Sequence, residues 1–378
     1  MAVQFILGRS GTGKTTHCLG AIVEALQADS EQPLVLLVPE QATYQAERAI
    51  LSDPHICGYH RLQIVSFNRL QFFLAGRSTA APRISNIGRQ MIVHKILRDS
   101  RDDLHVFRSS ALLPGFAREI ANTITELHRY ARDSEDLAKL EAQIRTDAGN
   151  RLAALKFADI SRVFQCYAEA LGDRFVDPEA QASKACQAVA GTAFLQNARL
   201  WVDGFASFTG AETALLIELL KVVDEAHIAL CLDPAGLGPK ATAADGLFEP
   251  TERTYQDLSE MIRDAKIELR RPILLKKALR FGDCEPLAHV EKNLFRLRAK
   301  RAKAADALRL VAAPNLRAEV QFVAGQIRHL VREKGYRYRD IAVVASDLGQ
   351  YEHYVSAYFD DYVIPYFIDR RQPLNQHP

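Results

Sequence analysis

The first residues that could do chemistry are Gly8 to Thr15, GRSGTGKT, which fit G-x-x-x-x-G-K-[ST] without a gap. Gly8, Gly11 and Gly13 permit backbone angles closed to other residues, so the N–H groups of Arg9, Ser10, Thr12 and their neighbours can turn inward on phosphate oxygens beside a helix N-terminus. Lys14 would reach the terminal phosphates of a nucleotide, Thr15 would ligate Mg²⁺, and Thr16 would follow it into the helix. The flanks suit this reading: Val3 to Leu7 is apolar and β-prone, and Leu19, Ile22, Val23 and Leu26 recur at helical spacing.

A phosphate cradle of this type also needs an aspartate at the end of a neighbouring strand for the Mg²⁺ shell. Hydrolysis usually needs a glutamate as well, to orient or deprotonate water. LWVDGF supplies the first at Asp203, whose plainer reading is a strand-end turn cap. The next residue is Gly204, which cannot accept a proton. Glu212 downstream and Glu40 in VPEQ are stand-ins, with Glu40 better read as a helix-start acid. The strand ending LCLDP offers Asp233 where a γ-phosphate-sensing glutamine usually stands. The residues thus argue for binding and not for hydrolysis.

Around these residues, positions 1–80 alternate as strand 3–7, helix 15–27, strand 34–38, helix 41–51 and strand 62–67, which predicts a parallel sheet covered on both faces. Residues 81–192 carry helical stripes (Phe116, Ile120, Ile124, Leu127; then Ile160, Val163, Phe164, Tyr167, Leu171) and read as an all-helical insertion. The sheet resumes over 193–240 with strands 199–203 and 227–233 around a helix. Residues 241–305 form a connecting segment, mainly helical, and 306–378 begin a second α/β pattern from LRLVAAP, a helix near 315–333, DIAVVAS and YVIPYFID. That second pattern is incomplete at Pro378, so more chain or a partner is expected to finish its sheet.

Composition bounds the partners. Of 378 residues, 48 are Lys or Arg and 46 Asp or Glu, a net charge of +2, so contact with nucleic acid must come from a local stripe. Cysteines at 18, 57, 166, 186, 231 and 284 form no C-x-x-C pair and suit a reducing cytosol. No run approaches the ~20 apolar residues that span a bilayer, and a cytoplasmic protein is expected. HICGYH (55–60) suggests zinc but lacks a partner pair. The basic run KNLFRLRAKRAK (292–303) places Lys292, Arg296, Arg298, Lys300, Arg301 and Lys303 on about three predicted helical turns, a solvated face or a phosphate contact, with Leu294, Phe295 and Leu297 anchoring the other side.

The motifs GRSGTGKT, LLVPEQATYQAE, IVSFNRL, ISNIGRQMIVHKIL, LWVDGFASFTGAE, ALCLDP, HVEKNLF, AAPNLRAEV and PYFIDRRQPLNQHP, in this order, resemble the amino-terminal part of the AddB (RexB) family, one of the two subunits of the bacterial ATP-dependent helicase-nuclease. The resemblance covers essentially the whole chain. It implies a P-loop NTPase of superfamily 1 helicase type: a RecA-like first domain, the large helical insertion, and the start of a second RecA-like domain. It further implies ATP and Mg²⁺ as ligands, an AddA-type helicase-nuclease subunit as partner in a heterodimer, and single-stranded and duplex DNA ends as substrates in double-strand-break processing and recombination.

Members of that family resemble a helicase whose motor has decayed while AddA drives translocation, and their old single-strand track inspects DNA for the hotspot sequence Chi. By motif, the matching positions are Gln41 and Thr43 in PEQAT, Phe67 and Arg69 in SFNRL, and Phe208 in FASFTG, with Phe72 where an aromatic is also expected. The chemistry is apt, since aromatics stack on bases, Arg grips phosphate or guanine, and Gln or Thr reads base edges. Core packing is the alternative for Phe67 and Phe72, and an ordinary surface arginine for Arg69, placed at a predicted strand end on the P-loop side. The family's nuclease with its four-cysteine iron–sulfur cluster has no counterpart in this stretch, where only Asp264-Ala-Lys266 mimics the tail of a nuclease motif, so no nuclease activity is expected of it. Two other classes remain open on the residues: a working superfamily 1 helicase or other P-loop ATPase with an unrecognised base, and a helical scaffold that binds no nucleotide.

Overall fold

The computed structural model describes residues 1–74, 82–130, 137, 139–140, 142, 144, 151–172, 174–177, 180–237, 246–296, 299–302 and 307–368. The chain divides into two compact units, Met1–Ala302 and Lys303–Pro378.

The first unit is built on strands β1 (Ala2–Gly8), β2 (Leu34–Leu37), β3 (Leu62–Val65), β4 (Arg199–Val202) and β5 (Glu225–Cys231), with short β6 (Glu268–Leu269) and β7 (Ile273–Leu275) on one edge. All pairings are parallel, in the order β3-β2-β4-β5-β1-β6, with β7 also on β1. β6 and β7 share one edge position, interrupted where Pro272 has no N–H to give the ladder. Every residue of β2 is buried, as expected of a parallel strand covered on both faces.

Helices α1 (Lys14–Gln27) and α2 (Thr43–Leu51) cover one face, and Cys18, Ile22 and Ala25 of α1 enter a core with Ile6, Leu36 and Trp201. Arg61 binds the last carbonyls of α1, donating to Ala25, Leu26 and Ala28. The opposite face packs under α3 (Phe67–Leu74), α7 (Gln181–Val189), α8 (Gly210–Leu220) and α9 (Glu249–Asp264). The sheet strand predicted over 62–67 stops at Val65, and Ser66 leads straight into α3, so Phe67 and Arg69 are helical and not at a strand end. The helix predicted over 41–51 enters through a 3₁₀ turn at Glu40–Ala42.

Between α3 and α7 stand α4 (Asn86–Asp99), α5 (Pro114–Arg129) and α6 (Arg151–Leu171), which share a separate core of Val93, Leu97, Ile124, Phe164 and Tyr167. The helical segment closes at its base: Val176 N–H donates to Pro82 and Ile84 N–H donates to Val176, a parallel bridge between its entry and its exit. Helix α10 (Glu285–Asn293) follows β7 and takes in only Lys292 and Asn293 of the basic run, since Leu294 leaves helical backbone (ψ 132°) and Phe295 takes a left-handed φ of 64°. The run therefore forms no three-turn helix, and Leu294 and Phe295 are exposed instead of anchoring it. Leu297, Arg298 and Lys303 lie outside the described residues.

The second unit holds α11 (Leu316–Lys334), close to the helix predicted at 315–333, and α12 (Leu348–Asp361), packed through Val320, Ala324, Ile327, Val355 and Phe359. The strands expected from LRLVAAP and DIAVVAS do not form among its described residues. A strand requires a hydrogen-bonding neighbour, and Leu310 and Val344 stand exposed. The RRQPLNQHP end of the last motif lies outside the described residues.

Candidate nucleotide site and strand-contact surface

The turn between β1 and α1 takes left-handed backbone at two of its three glycines, Gly8 not among them. Gly11 and Gly13 have φ of 73° and 88°, a region where side-chain-bearing residues are strained. Gly13 caps α1 with no side-chain hydrogen bond, and the first turn of the helix holds no acid. Those N–H groups and the positive end of the helix dipole are thus left for an anion. Lys14 Nζ donates to the carbonyls of Gly8 (2.8 Å) and Arg9 (2.9 Å), folded over the turn it would extend from. Buried Thr12 donates through Oγ1 to the Arg9 carbonyl, while Ser10, Thr15 and Thr16 are exposed at the helix start. The chemistry of this set fits a nucleotide phosphate chain with Mg²⁺.

Two contacts to this turn were not legible in the sequence. The Arg9 guanidinium donates to Asp233 (2.8 Å), to the Glu291 carboxylate (3.0 Å) and to the Glu291 carbonyl (2.7 Å), and lies over the Phe248 ring. Burial would raise the Asp233 carboxyl, but the Ala235 N–H and Arg9 outweigh it and hold the group below the usual carboxylate range. The segment after β7 covers the turn: Arg280 N–H donates to the Gly11 carbonyl, Phe281 lies where a Cβ on Gly11 would be, and Leu279 crowds Gly13. Partners that return from beyond β5 and β7 leave no local signal for either contact.

Asp203 follows β4, and β5 separates β4 from β1, so it lies on the next strand but one and not on the neighbouring strand. All three strands run in the same direction, and Gly8, Asp203 and Asp233 stand at their carboxyl ends, where ligands of parallel α/β sheets bind. Asp203 is buried near α1; together with burial its charge pushes the Cys18 thiol up. Gly204 has φ of 86°, and a Cβ there would meet Pro39 Cδ at 3.1 Å. The position that lacks a glutamate is therefore also one where a glutamate would be strained. The stand-ins are engaged elsewhere. Glu212 accepts from the Thr209 backbone N–H (2.8 Å) while Thr209 Oγ1 accepts from the Glu212 N–H, a capping box for α8. Glu40 opens the 3₁₀ turn before α2 and accepts from Asn68.

The residues matched to a strand-contact surface divide. Gln41 and Arg69 are exposed, and Thr43 is half-buried with its hydroxyl on the Glu40 carbonyl. Phe67 is 3% exposed and packs edge-on against Phe205 and Phe208, so it supports Phe208 from below. Phe208 is half-buried and Phe72 exposed, with the Arg83 guanidinium 4.6 Å above the Phe72 ring.

Fold and site define an α/β protein with a parallel sheet, consistent with a RecA-like arrangement, with a glycine-rich turn at the carboxyl end of β1. The chain belongs to the family described as "ADDB, N-terminal", which matches residues 5–291. Among curated relatives, the B subunit of the ATP-dependent helicase/deoxyribonuclease of Symbiobacterium thermophilum is 36% identical over 384 residues. The corresponding protein of Desulforudis audaxviator is 38% identical over 383 residues, and that of Moorella thermoacetica 36% over 385. Each match takes in all of this chain and 33% of the relative, so the chain spans about a third of the length of these curated relatives. No helix among the described residues is long and apolar enough to cross a membrane.

Proposed function

We propose that this chain is the ATP·Mg²⁺-binding, single-strand-contacting portion of an AddB-type component of a helicase-nuclease that processes DNA double-strand breaks, and that it holds its nucleotide without hydrolysing it. The observation that carries this is Gly204: the residue after Asp203 lacks a carboxylate and sits in a left-handed conformation against Pro39. The engagement of Glu212 in a helix cap and of Asp233 with Arg9 supports the same reading.

In this proposal Lys14 and the Gly11–Thr15 turn hold the phosphates, and Thr15 and Asp203 hold the metal shell. Mg²⁺ would offset phosphate charge and order the triphosphate. The nucleotide then acts as a ligand that favours whichever domain arrangement binds it more tightly, by that difference in affinity and without turnover. Gln41, Thr43, Arg69, Phe72 and Phe208, with Phe67 beneath, would face a strand fed by an AddA-type partner and inspect it for Chi.

Single-turnover phosphate release, with and without single-stranded DNA, tests the proposal beside thermal unfolding with ATP·Mg²⁺. The expected result is protection from heat with no release. DNA-stimulated release abolished by Lys14→Ala would instead favour a working helicase, and no protection at all a nucleotide-free scaffold.

A further inference from the structure

A cleft of about 330 Å³ lies between α4 and α5, lined by Asn86, Arg89, Gln90, Asn122, Thr125 and Glu126. Its floor is fixed. The buried Arg89 guanidinium donates to both oxygens of the fully buried Asp177 (2.7 and 3.2 Å), and Tyr167 donates to the same carboxylate (2.6 Å). The remaining Arg89 nitrogen donates to Asn86 Oδ1 (3.3 Å) and Thr125 Oγ1 (3.0 Å). Asn86 is thereby oriented with its amide N–H groups free, and Thr125, which donates to the Ala121 carbonyl, keeps acceptor capacity. The side chains of Gln90, Asn122 and Glu126 have no hydrogen-bond partner among the described residues. A buried ion pair contributes little net stability to a helical core; here it shapes a polar wall.

The wall offers amide donors, amide and carboxylate acceptors, and no cation left unpaired by its own network, so a phosphate is a poor occupant. Ile87 and Met91, 70% and 67% exposed, stand one position along α4 from Asn86 and Gln90 and form an apolar ledge on the next stripe of that helix. A planar ligand with a hydrogen-bonding edge suits the wall, and Asn or Gln with adenine and Glu with cytosine are the pairings that base edges accept.

Position points the same way. Asn122, Glu126 and Tyr130 recur every four residues along one face of α5, and the exposed Tyr130 ends that face. Its backbone abuts Gly210, where a Cβ would lie 3.1 Å from Tyr130 Cα, two residues past Phe208. The cleft thus begins about one helical turn before Tyr130, which abuts the segment after Phe208, and extends away from it.

We infer that the α4–α5 cleft receives one unpaired nucleobase of a single strand that leaves the Arg69–Phe208 surface, read by Gln90, Asn122 and Glu126. This rests on the strand contact proposed above. The test is anisotropy binding of short single strands in which one abasic position is moved along the sequence, with Gln90 and Asn122 replaced together by Ala and Arg69→Ala alongside. In the unaltered chain one position should lose roughly tenfold to a hundredfold in affinity when its base is removed. The Gln90→Ala/Asn122→Ala chain should become indifferent to that position alone, with its urea midpoint unchanged. An abasic profile identical in the two chains overturns the cleft while weakening by Arg69→Ala leaves the strand contact standing. No binding of single strands by the unaltered chain overturns both.

Discussion

Lys14 Nζ lies 2.8 Å from the carbonyl oxygen of Gly8, six residues earlier and at the last position of β1. The ammonium that the proposal assigns to a phosphate chain is satisfied by the turn itself, and a nucleotide would have to exchange with two carbonyls to engage it. Lys14→Ala removes that engagement. At ATP·Mg²⁺ about a hundredfold above its dissociation constant, the unaltered chain should gain about 2.7 kcal/mol. The variant should show no ligand-dependent rise in Tm by scanning calorimetry.

Restoring a carboxylate beside Asp203 should not restore hydrolysis. Gly204→Glu places a side chain at φ 86° against Pro39, at a cost of about 1–3 kcal/mol. Urea unfolding should report that loss, and phosphate release should stay at background. Motor-like turnover in this variant would show that the site was one residue away from an engine.

Glu212→Ala separates the two roles open to that acid. As the partner of Thr209 it should lower stability by about 0.5–2 kcal/mol through the exposed start of α8. Nucleotide affinity, read by titration calorimetry, should not move.

Acid should loosen the helical insertion. Burial acts to raise the Asp159 carboxyl, but N–H groups of His105, Val106 and Phe107 outweigh it and hold the group below its ordinary value. Because the folded value lies below the unfolded one, near 3.9, its contribution is complete above that pH and is lost as pH falls through the folded value. Urea midpoints should hold from neutral pH to about pH 4 and fall below it, and Asp159→Asn should flatten that fall.

Removing one side of the buried pair at the cleft floor should be severe. Asp177→Ala leaves the Arg89 guanidinium without its carboxylate, a change of about 3–5 kcal/mol. Replacing both with apolar residues of similar volume should recover most of it, as read by equilibrium denaturation.

Much of the fold is written locally. The glycine spacing before Lys14, the unbroken apolar run of β2, the apolar end of β5 from Ile228 and the stripes of α5 and α6 each declare their element within a dozen residues, because period and backbone freedom are local properties. What stays hidden depends on chain returning from far away. Nothing near Arg9 announces Asp233 or Glu291, and nothing near Gly11 announces Phe281. The Phe67 aromatic is assigned to core and not to surface only by the positions of Phe205 and Phe208 around it. The basic run looks helical by composition, and one left-handed residue, Phe295, ends it.

The bridge between Pro82–Ile84 and Val176 makes the helical segment a cassette on a narrow neck, with its two ends side by side. A cassette so hung can be lengthened, shortened or exchanged without re-threading the sheet beneath it, since its entry and exit lie side by side. Evolution could therefore rewrite what the helices touch while the glycine-rich turn below kept its geometry.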